Sequence, residues 1–509
     1  MRYLIGIDLG TSATKTVLFD ENGVSISSAS VEYPLYQPQN GWAEQNPEDW
    51  YNAAISTLTD VLKNSGINPD DIVSLGISGQ MHGLVMLDEK CDVIRPAILW
   101  CDQRTGKECE ELTEKLGLEN LIKITANPAL TGFTASKILW VKNNEPDNFR
   151  KCRHILLPKD YLRFRLTGEF ATEVSDASGM QLLDVPERKW SDVMIDALGI
   201  KEEYLAKVYE SPEITGYIND ETSLKTGLSV KTSVAGGAGD NAAAAVGMGV
   251  VTEGKAFTTI GTSGVVFAHT DKPVIDPKGR VHTFCCAVPG AWHVMGVTQG
   301  AGLSLQWFKN NFCYEEIQQA IAESKDVYQI TDEKAKEISI GCDKLIYLPY
   351  LMGERTPHLD PDCRGVFFGL SAMHTKAHFV RALMEGVTYS LYDCLIVLKE
   401  MGITPLSMLL CGGGSKSKLW KTMICDTFSI PVETAKSSDA AALGVAVLAA
   451  VAAGIYGSVK EACDVMVPQV SDKIMPDGNN TASYRKYYNI YSSLYTSLKA
   501  NYKDLANLN

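Results

Sequence analysis

The strongest constraint on the fold is a short polar turn, Asp8-Leu-Gly-Thr-Ser12, between two apolar runs near the start of the chain. Residues 3–7 and 14–19 have the pattern of β-strands, and DENG at 20–23 is a hairpin turn signal before a third strand at 24–31. A P-loop joins a strand to a helix, whereas this glycine turn joins two strands. The sequence therefore predicts an antiparallel hairpin that carries a carboxylate and two hydroxyls at its turn.

A similar unit occurs in the second half of the chain, where residues 256–270 again give a strand, a Gly-Thr-Ser turn and a strand. Internal duplication of such a unit predicts two similar domains that face each other. The chain has 509 residues, which is too long for one ordinary domain. We therefore predict a first domain at 1–247, a second domain at 254–457, and a helical tail at 458–509 that packs on the second domain.

Composition limits the classes of partner. The formal net charge is -14 and no basic cluster occurs, which argues against nucleic acid or an anionic membrane. The 13 cysteines are odd in number and contain no CxxC pair, which is typical of reduced thiols in the cytoplasm rather than of disulfides or a zinc site. The most apolar stretch, residues 441–454, is too short and too rich in alanine to span a bilayer, so we expect a packed core helix.

The first hairpin turn has the composition of a phosphate site. Gly10 lets the backbone turn tightly with its N–H groups outward, and Thr11 and Ser12 add hydroxyl donors. An aspartate beside a polyphosphate is repelled unless a divalent cation lies between them, so Asp8 indicates Mg²⁺. The alternative is an ordinary hairpin with an Asx-type turn.

Asp240 lies at a predicted corner between a buried strand at 230–238 and a helix at 242–248. The neighbouring glycines and alanines leave room for a ligand, and a helix N-terminus favours an anion. A carboxylate at this corner could accept a proton from a substrate hydroxyl. The competing interpretation of Asp240 is a helix N-cap.

Two loops offer polar side chains to a small ligand. Met81 and His82 lie in a glycine-bounded break between strands, GQMHG at 79–83. Another strand ends with Trp100, Asp102 and Arg104, a composition common at sugar contacts, although a structural ion pair explains the Asp and the Arg equally well.

Two further glycine-rich segments have different interpretations. CGGGSKSK at 411–418 follows an apolar run and resembles a nucleotide-binding turn. GVVTEGKA at 249–256 nearly matches a P-loop, but it follows a helix and lacks the final hydroxyl residue. We interpret that segment as a linker turn.

Taken together, these segments resemble the FGGY family of carbohydrate kinases. The matching motifs occur in order from one end of the chain to the other: GIDLGTS, GFTASKILWVKNN, GAGDNAAAAVG, IGTSG, YLMGERTPHLDPDCRGVFFGL and the glycine turn at Gly412. The resemblance implies an α/β fold with two ribonuclease-H-like domains of the actin/hexokinase/Hsp70 type and a central cleft between them.

Within that family, GQMHG, LPKDYLRFRLTGEF and GERTPH are most similar to the members that phosphorylate D-xylulose. The resemblance implies an ATP- and Mg²⁺-dependent kinase that forms D-xylulose 5-phosphate in pentose catabolism. Its partners are the ketopentose and ATP, without nucleic acid or membrane, and a homodimer is left open. The alternatives are a kinase for ribulose or a polyol, a non-kinase ATPase of the same fold, and a sugar-binding regulator without activity.

The resemblance also implies residue roles. Asp240 would be the base, and Asp8 would hold magnesium together with Asp240. Cys101 stands where relatives carry asparagine, so the finer sugar contacts stay open. The expected sugar-pocket residues are Met81, His82, Trp100, Asp102, Arg104, Asp240 and Asn241. The expected ATP-binding residues are Gly10, Thr11, Ser12, Lys15, Gly261, Thr262, Gly302, Gln306, Gly413, Gly414 and Lys418.

Overall fold

The computed structural model describes residues 1–435, 439–468, 470 and 472–508. The strands of the first half are β1 (Tyr3–Leu9), β2 (Ala13–Asp20), β3 (Ser25–Glu32), β4 (Glu44–Gln45), β5 (Ile72–Gly79), β6 (Val85–Leu87), β7 (Ala97–Ile98), β8 (His154–Leu156), β9 (Ala171–Glu173), β10 (Leu183–Asp184), β11 (Lys189–Trp190), β12 (Lys207–Tyr209), β13 (Ile214–Tyr217), β14 (Ser233–Ala235) and β15 (Ala238–Gly239). Its helices are α1 (Pro47–Ser65), α2 (Gly106–Leu116), α3 (Leu118–Thr125), α4 (Thr134–Asn144), α5 (Pro146–Lys151), α6 (Pro158–Thr167), α7 (Val174–Ala177), α8 (Asp192–Leu198), α9 (Asp220–Thr226) and α10 (Asp240–Gly247).

The second half has fewer strands and longer helices. Its strands are β16 (Lys255–Ile260), β17 (Gly264–Thr270), β18 (His282–Cys285), β19 (Trp292–Thr298), β20 (Ile346–Leu348), β21 (Val366–Phe368), β22 (Ser407–Cys411) and β23 (Val432–Thr434). Its helices are α11 (Gly302–Phe312), α12 (Tyr314–Glu323), α13 (Val327–Lys336), α14 (Lys376–Glu400), α15 (Lys418–Phe428), α16 (Ala440–Ala452), α17 (Val459–Met466) and α18 (Gly478–Ala506).

Each half contains a large mixed sheet, and the two sheets share one arrangement. The first has the order β13-β14-β5-β1-β2-β3, with β15 beside β5, and the second has the order β18-β19-β17-β16-β22-β23. In the first sheet β1 pairs antiparallel with β2 and parallel with β5. In the second, β16 pairs antiparallel with β17 and parallel with β22. The predicted duplication and the α/β fold class are therefore confirmed.

Each of the two predicted hairpin turns is closed by a backbone hydrogen bond from its glycine, which spans three residues in the first turn and two in the second. In the first, the Gly10 N–H donates to the Ala13 carbonyl at 3.0 Å, and in the second the Gly261 N–H donates to the Ser263 carbonyl at 3.0 Å. Each turn closes two antiparallel strands, as the sequence predicts. The strand expected at 230–238 is wrong in its length, because β14 has three residues and a glycine pair separates it from β15.

Helix α16 lies against the first sheet, although it follows the strands of the second. A Cβ atom built on Gly6 of β1 would lie 2.0 Å from the Ala442 carbonyl oxygen, and one built on Gly444 would lie 1.9 Å from the Ala243 oxygen of α10. Only glycine permits these approaches. The alanine-rich stretch is thus a packed core helix, as predicted, and no helix in the described ranges is long and apolar enough to cross a membrane.

The segment predicted as a tail has two helices with different neighbours. Four tyrosines of α18 are buried in the core of the second sheet: Tyr484, Tyr491, Tyr495 and Tyr502. Helix α17 packs instead with α10 and α16, and the Cys463 thiol donates to the Val246 carbonyl at 3.3 Å. The domain boundaries themselves stay a prediction.

The GVVTEGKA segment and the cysteines are also expected to have particular structures. The Lys255 ammonium at the end of the GVVTEGKA segment donates to the Gly249 carbonyl at 2.9 Å, and the segment connects α10 to β16 as a linker turn. All 13 cysteines lie in the described part of the chain, and all are free thiols there.

Candidate active site

Asp240 is the first residue of α10, directly after β15. The N-cap position belongs to Gly239, so Asp240 does not act as the cap. Its Oδ1 atom accepts hydrogen bonds from the backbone N–H of Asn241 at 2.6 Å and from the Asn241 side-chain amide at 2.9 Å. Burial, followed by the negative charge of Asp8, raises the pKa of Asp240 to about 6. Near neutral pH the side chain is therefore an ionised base whose proton affinity exceeds that of an ordinary aspartate.

Asp8 lies on β1, next to the hairpin turn, with Lys15 opposite it in the register of β2. Burial is the main cause that raises the pKa of Asp8, and the negative charge of Asp439 adds to it. The Lys15 ammonium forms an ion pair with Asp439. Strands β1 and β15 both pair with the end of β5, where Asp8 is opposite Ser78 and Gly239 is opposite Gly79. Asp8 and Asp240 therefore lie at the same end of the sheet, beside the glycine turn.

The described residues contain no group of three or more His, Cys, Asp and Glu side chains that could hold a metal ion. Magnesium is usually bound by one or two carboxylates together with phosphate oxygens and water. Asp8 and Asp240 fit that donor set, because two neighbouring carboxylates lie beside a turn suited to phosphate. The two residues could therefore hold Mg²⁺ once a nucleotide supplies the remaining oxygens.

Met81 and His82 lie in the loop between β5 and β6, next to the Asp240 corner. A Cβ atom on Gly239 would lie 2.9 Å from Cγ of Met81, so the two segments are in contact. His82 is half-buried, and the loss of solvent around its ring lowers its pKa to about 3. Its Nδ1 atom lies 2.7 Å from the carbonyl oxygen of Gly179. Because that oxygen can only accept, Nδ1 carries the proton and Nε2 of the neutral ring is an acceptor.

The loop after β7 carries three predicted sugar contacts. Two of them, Asp102 and Arg104, have a mainly structural role. The Arg104 guanidinium pairs with Asp102 at 2.7 Å and with Glu44 at 2.8 Å, and it lies 3.7 Å from the ring centre of Trp42. Asp102 is completely buried and accepts the Ala43 backbone N–H at 2.7 Å. Of the two interpretations, the structural ion pair is the one that the geometry supports.

Trp100, the third of these residues, remains accessible. Its side chain is 43% exposed, and its indole N–H donates to the Thr11 hydroxyl at 3.0 Å. The indole thereby links the sugar-side loop to the phosphate turn. Within that turn, Ser12 is exposed and Gly10 and Thr11 are half-buried, so a ligand can reach all three residues.

A cavity of about 330 Å³ lies in the second half of the protein. The hairpin turn after β16, the start of α11, the glycine turn after β22 and the start of α13 form its walls. Six predicted ATP-binding residues line it: Gly261, Thr262, Gly302, Gln306, Gly413 and Gly414. Lys418 is not among the lining residues, whereas Lys416 and Ser417 are.

Sequence reasoning missed one wall of this cavity and one residue near the sugar side. Asp326, Tyr328, Gln329 and Asp332 line the cavity, and no local motif marks them. Arg355 of the GERTPH segment is half-buried, and its guanidinium makes no hydrogen bond or ion pair with any residue that the structure describes. Burial is the main cause of the low pKa of His82 and His282, and the positive charge of Arg355 lowers both pKa values further. The GERTPH motif supports the family resemblance, but it does not by itself indicate a role for Arg355.

Comparison with known proteins agrees with this geometry over the whole chain. The N-terminal domain of the FGGY family of carbohydrate kinases matches residues 3–247, and the C-terminal domain matches residues 256–453. A xylulose kinase of Bacillus subtilis strain 168 is 40% identical over 499 residues, with 98% of each chain covered. One from Escherichia coli strain K12 is 39% identical over 497 residues, which cover 97% of this chain and 99% of that protein.

Solved structures show the same fold. The crystal structure described as a xyloylose kinase from Brucella ovis has a TM-score of 0.90 and 35% identity, and the match covers 98% of this chain and 100% of that one. The two matched domains, the duplicated sheets and the paired carboxylates beside the first hairpin turn lead to one conclusion: the chain belongs to the FGGY family of carbohydrate kinases.

Proposed function

We propose that this protein transfers the γ-phosphoryl group of ATP to O5 of D-xylulose in the cytoplasm, giving D-xylulose 5-phosphate and ADP. The observation that carries the proposal is Asp240, a half-buried carboxylate with its pKa raised to about 6, between the Met81–His82 loop and Asp8. A sugar hydroxyl and a phosphate would meet at such a base. The similarity to several xylulose kinases over nearly the full chain supports the choice of sugar.

In this proposal Asp240 takes the proton from the O5 hydroxyl as the sugar oxygen attacks the γ-phosphorus. A new O–P bond forms, and the bond from the γ-phosphorus to the bridging oxygen breaks, leaving ADP. Base catalysis of this kind contributes roughly 10²–10⁴-fold to the rate. Much of the remainder comes from positioning and charge neutralisation, as is usual for phosphoryl transfer.

The sugar pocket supplies both kinds of hydrogen-bonding partner. Nε2 of His82 accepts from a sugar hydroxyl, since Nδ1 is engaged with Gly179. The amide of Asn241 lies beside the base and can donate or accept. Trp100 offers an apolar face at the accessible edge of the pocket. The ion pair of Asp102 and Arg104 supports this loop from behind rather than contacting the sugar.

ATP occupies the 330 Å³ cavity with its adenosine and extends its phosphates toward the two glycine turns. Asp8 and Asp240 would hold Mg²⁺, which would neutralise charge on the phosphates. Lys15 stays near the phosphates through its pairing with Asp439. A homodimer stays a prediction, and the proposed reaction uses the residues of one chain only.

A coupled ADP-release assay tests the proposal with D-xylulose, D-ribulose, L-ribulose, L-xylulose, glycerol and D-gluconate, each titrated to saturation. We expect the highest kcat/KM with D-xylulose, because the pocket pairs its polar groups with hydroxyls whose direction differs between epimers. A higher kcat/KM with another acceptor would overturn the sugar assignment and leave the kinase intact. ADP release that no acceptor stimulates would favour the alternative of a non-kinase ATPase.

A further inference from the structure

A seven-residue segment, Glu173–Gly179, contacts three parts of the protein: the loop with His82, the corner before Asp240, and strand β18 of the second sheet. It spans the end of β9, the short helix α7 and the two residues after it. The Gly179 carbonyl accepts from Nδ1 of His82 at 2.7 Å, and the Ser178 hydroxyl oxygen accepts the backbone N–H of Cys285, in β18, at 3.0 Å. The segment therefore fixes the tautomer of the sugar-pocket histidine and joins that pocket to the second half.

The contact with the base is made by Ser175, which is completely buried. Its hydroxyl oxygen accepts the backbone N–H of Gly239 at 3.1 Å, one residue before Asp240. The same hydroxyl donates its proton to Oε1 of Glu173 at 2.9 Å. Both functions of the hydroxyl are thus used, and neither could be supplied by alanine.

Glu173 in turn is held on several sides. Its Oε2 accepts the Ser211 hydroxyl at 2.7 Å, its two oxygens accept the backbone N–H groups of Ser175 and Asp176, and the Lys159 ammonium lies 3.5 Å from Oε1. Glu173 and Lys159 are completely buried. A charge-assisted hydrogen bond from Ser175 to so constrained a carboxylate is stronger than one between neutral groups, so the serine has little freedom to move.

We propose that Ser175 is a positioning residue for the base, holding the strand-to-helix corner at Gly239 in place by a hydrogen bond anchored on the buried Glu173–Lys159 pair. The inference rests on the proposed role of Asp240. Backbone dihedrals at Gly239 set the direction in which the Asp240 carboxylate leaves the helix start. Without the tether, the carboxylate can shift relative to the sugar hydroxyl, and a misplacement of 1 Å can cost about 10²-fold in rate.

The test compares Ser175→Ala with the matched control Ser211→Ala. Ser211 is equally buried and its hydroxyl donates to the same carboxylate, but only its backbone carbonyl bonds near the corner, accepting the Gly237 N–H at 3.0 Å, and alanine retains that bond. For Ser175→Ala we expect kcat to fall about 10–100-fold, while the Kd of the sugar, measured by titration calorimetry without ATP, changes less than about threefold. For Ser211→Ala we expect a similar fall in melting temperature but a fall in kcat of less than about threefold.

Equal kcat values for the two variants, or a sugar Kd that weakens in proportion to kcat for Ser175→Ala, would overturn the inference. If Ser175→Ala does not fold, Ser175→Cys keeps a side chain of similar size with a weaker acceptor and donor. An intermediate kcat in the cysteine variant supports the tether, and a wild-type kcat contradicts it. A wild-type protein that phosphorylates no acceptor would instead refute the proposed function, so the two failures are distinguishable.

Discussion

Replacing Asp240 by Asn is expected to stabilise the folded protein while it removes activity. The pKa of this carboxyl is raised from 3.8 to about 6, mainly by burial and then by the charge of Asp8. Between these two values the folded state binds more protons than the unfolded state, so the free energy of unfolding falls as the pH rises through this range. With about 1.4 kcal/mol for each pKa unit, the ionised carboxylate costs about 3 kcal/mol at most above pH 6.

Asparagine removes that charge and preserves the shape. Its Oδ1 can still accept the backbone N–H and the side-chain amide of Asn241, which Asp240 accepts at 2.6 and 2.9 Å. We therefore expect Asp240→Asn to gain about 1–3 kcal/mol in free energy of unfolding at pH 8. The gain should fall to about 0.5 kcal/mol at pH 4, where the folded carboxyl is protonated and about half of the unfolded carboxyls are.

Urea unfolding at pH 8, 6 and 4 measures the effect, with EDTA present so that no bound cation offsets the charge. Turnover in the coupled assay should fall by roughly 10²–10⁴-fold, and kcat/KM of the wild type should fall about tenfold for each pH unit below about 6. Asp192→Asn, at an exposed carboxylate in the first turn of α8, serves as the control that gains no stability. An Asp240→Asn protein that is no more stable than wild type at pH 8 would refute the reasoning.

Three further changes probe separate parts of the site. Asp8→Ala should lower turnover and flatten its dependence on added Mg²⁺ with sugar affinity retained; an unchanged metal dependence would contradict the metal role. At Gly413 a new Cβ meets nothing closer than 4.0 Å, so Gly413→Val should fold, fill the cavity and raise the KM for ATP about tenfold or more; an unchanged KM would place the nucleotide elsewhere. Arg104→Gln should lower the free energy of unfolding by about 3–5 kcal/mol, and a loss below 1 kcal/mol in urea would show that the ion pair is not structural.

The hairpins could be predicted from sequence because their signals are local. Apolar runs of strand length flank each Gly-Thr-Ser turn, and the second strand of the first hairpin is followed by a turn signal at 20–23. The strand expected at 230–238 failed for a tertiary reason. Gly237 has a φ of 70°, and a Cβ there would lie 2.0 Å from the Ile77 carbonyl oxygen, so the chain departs from strand geometry where it passes β5.

The site was predictable where a glycine motif marked it and not elsewhere. The cavity wall at 326–332 was missed because helix side chains that face a ligand carry no spacing that differs from an ordinary amphipathic pattern. For Asp102 and Arg104 the sequence left two interpretations open. The choice depends on Trp42 and Glu44, which are distant in the chain and enclose the guanidinium only in the folded protein.

The carboxylates beside the first hairpin turn serve both nucleotide binding and base catalysis. Burial raises the pKa of Asp8 and of Asp240, and the neighbouring charges of Asp439 and Asp8 add to the two shifts. Three carboxylates, Asp8, Asp240 and Asp439, lie in this region. Lys15 forms an ion pair with Asp439, so its single positive charge leaves the negative charge of two carboxylates uncompensated. A nucleotide that brings Mg²⁺ with it meets attraction there, whereas a free polyphosphate meets repulsion. In the enzyme without nucleotide, burial and then the charge of Asp8 move the proton affinity of Asp240 toward neutral pH, where a general base is most effective.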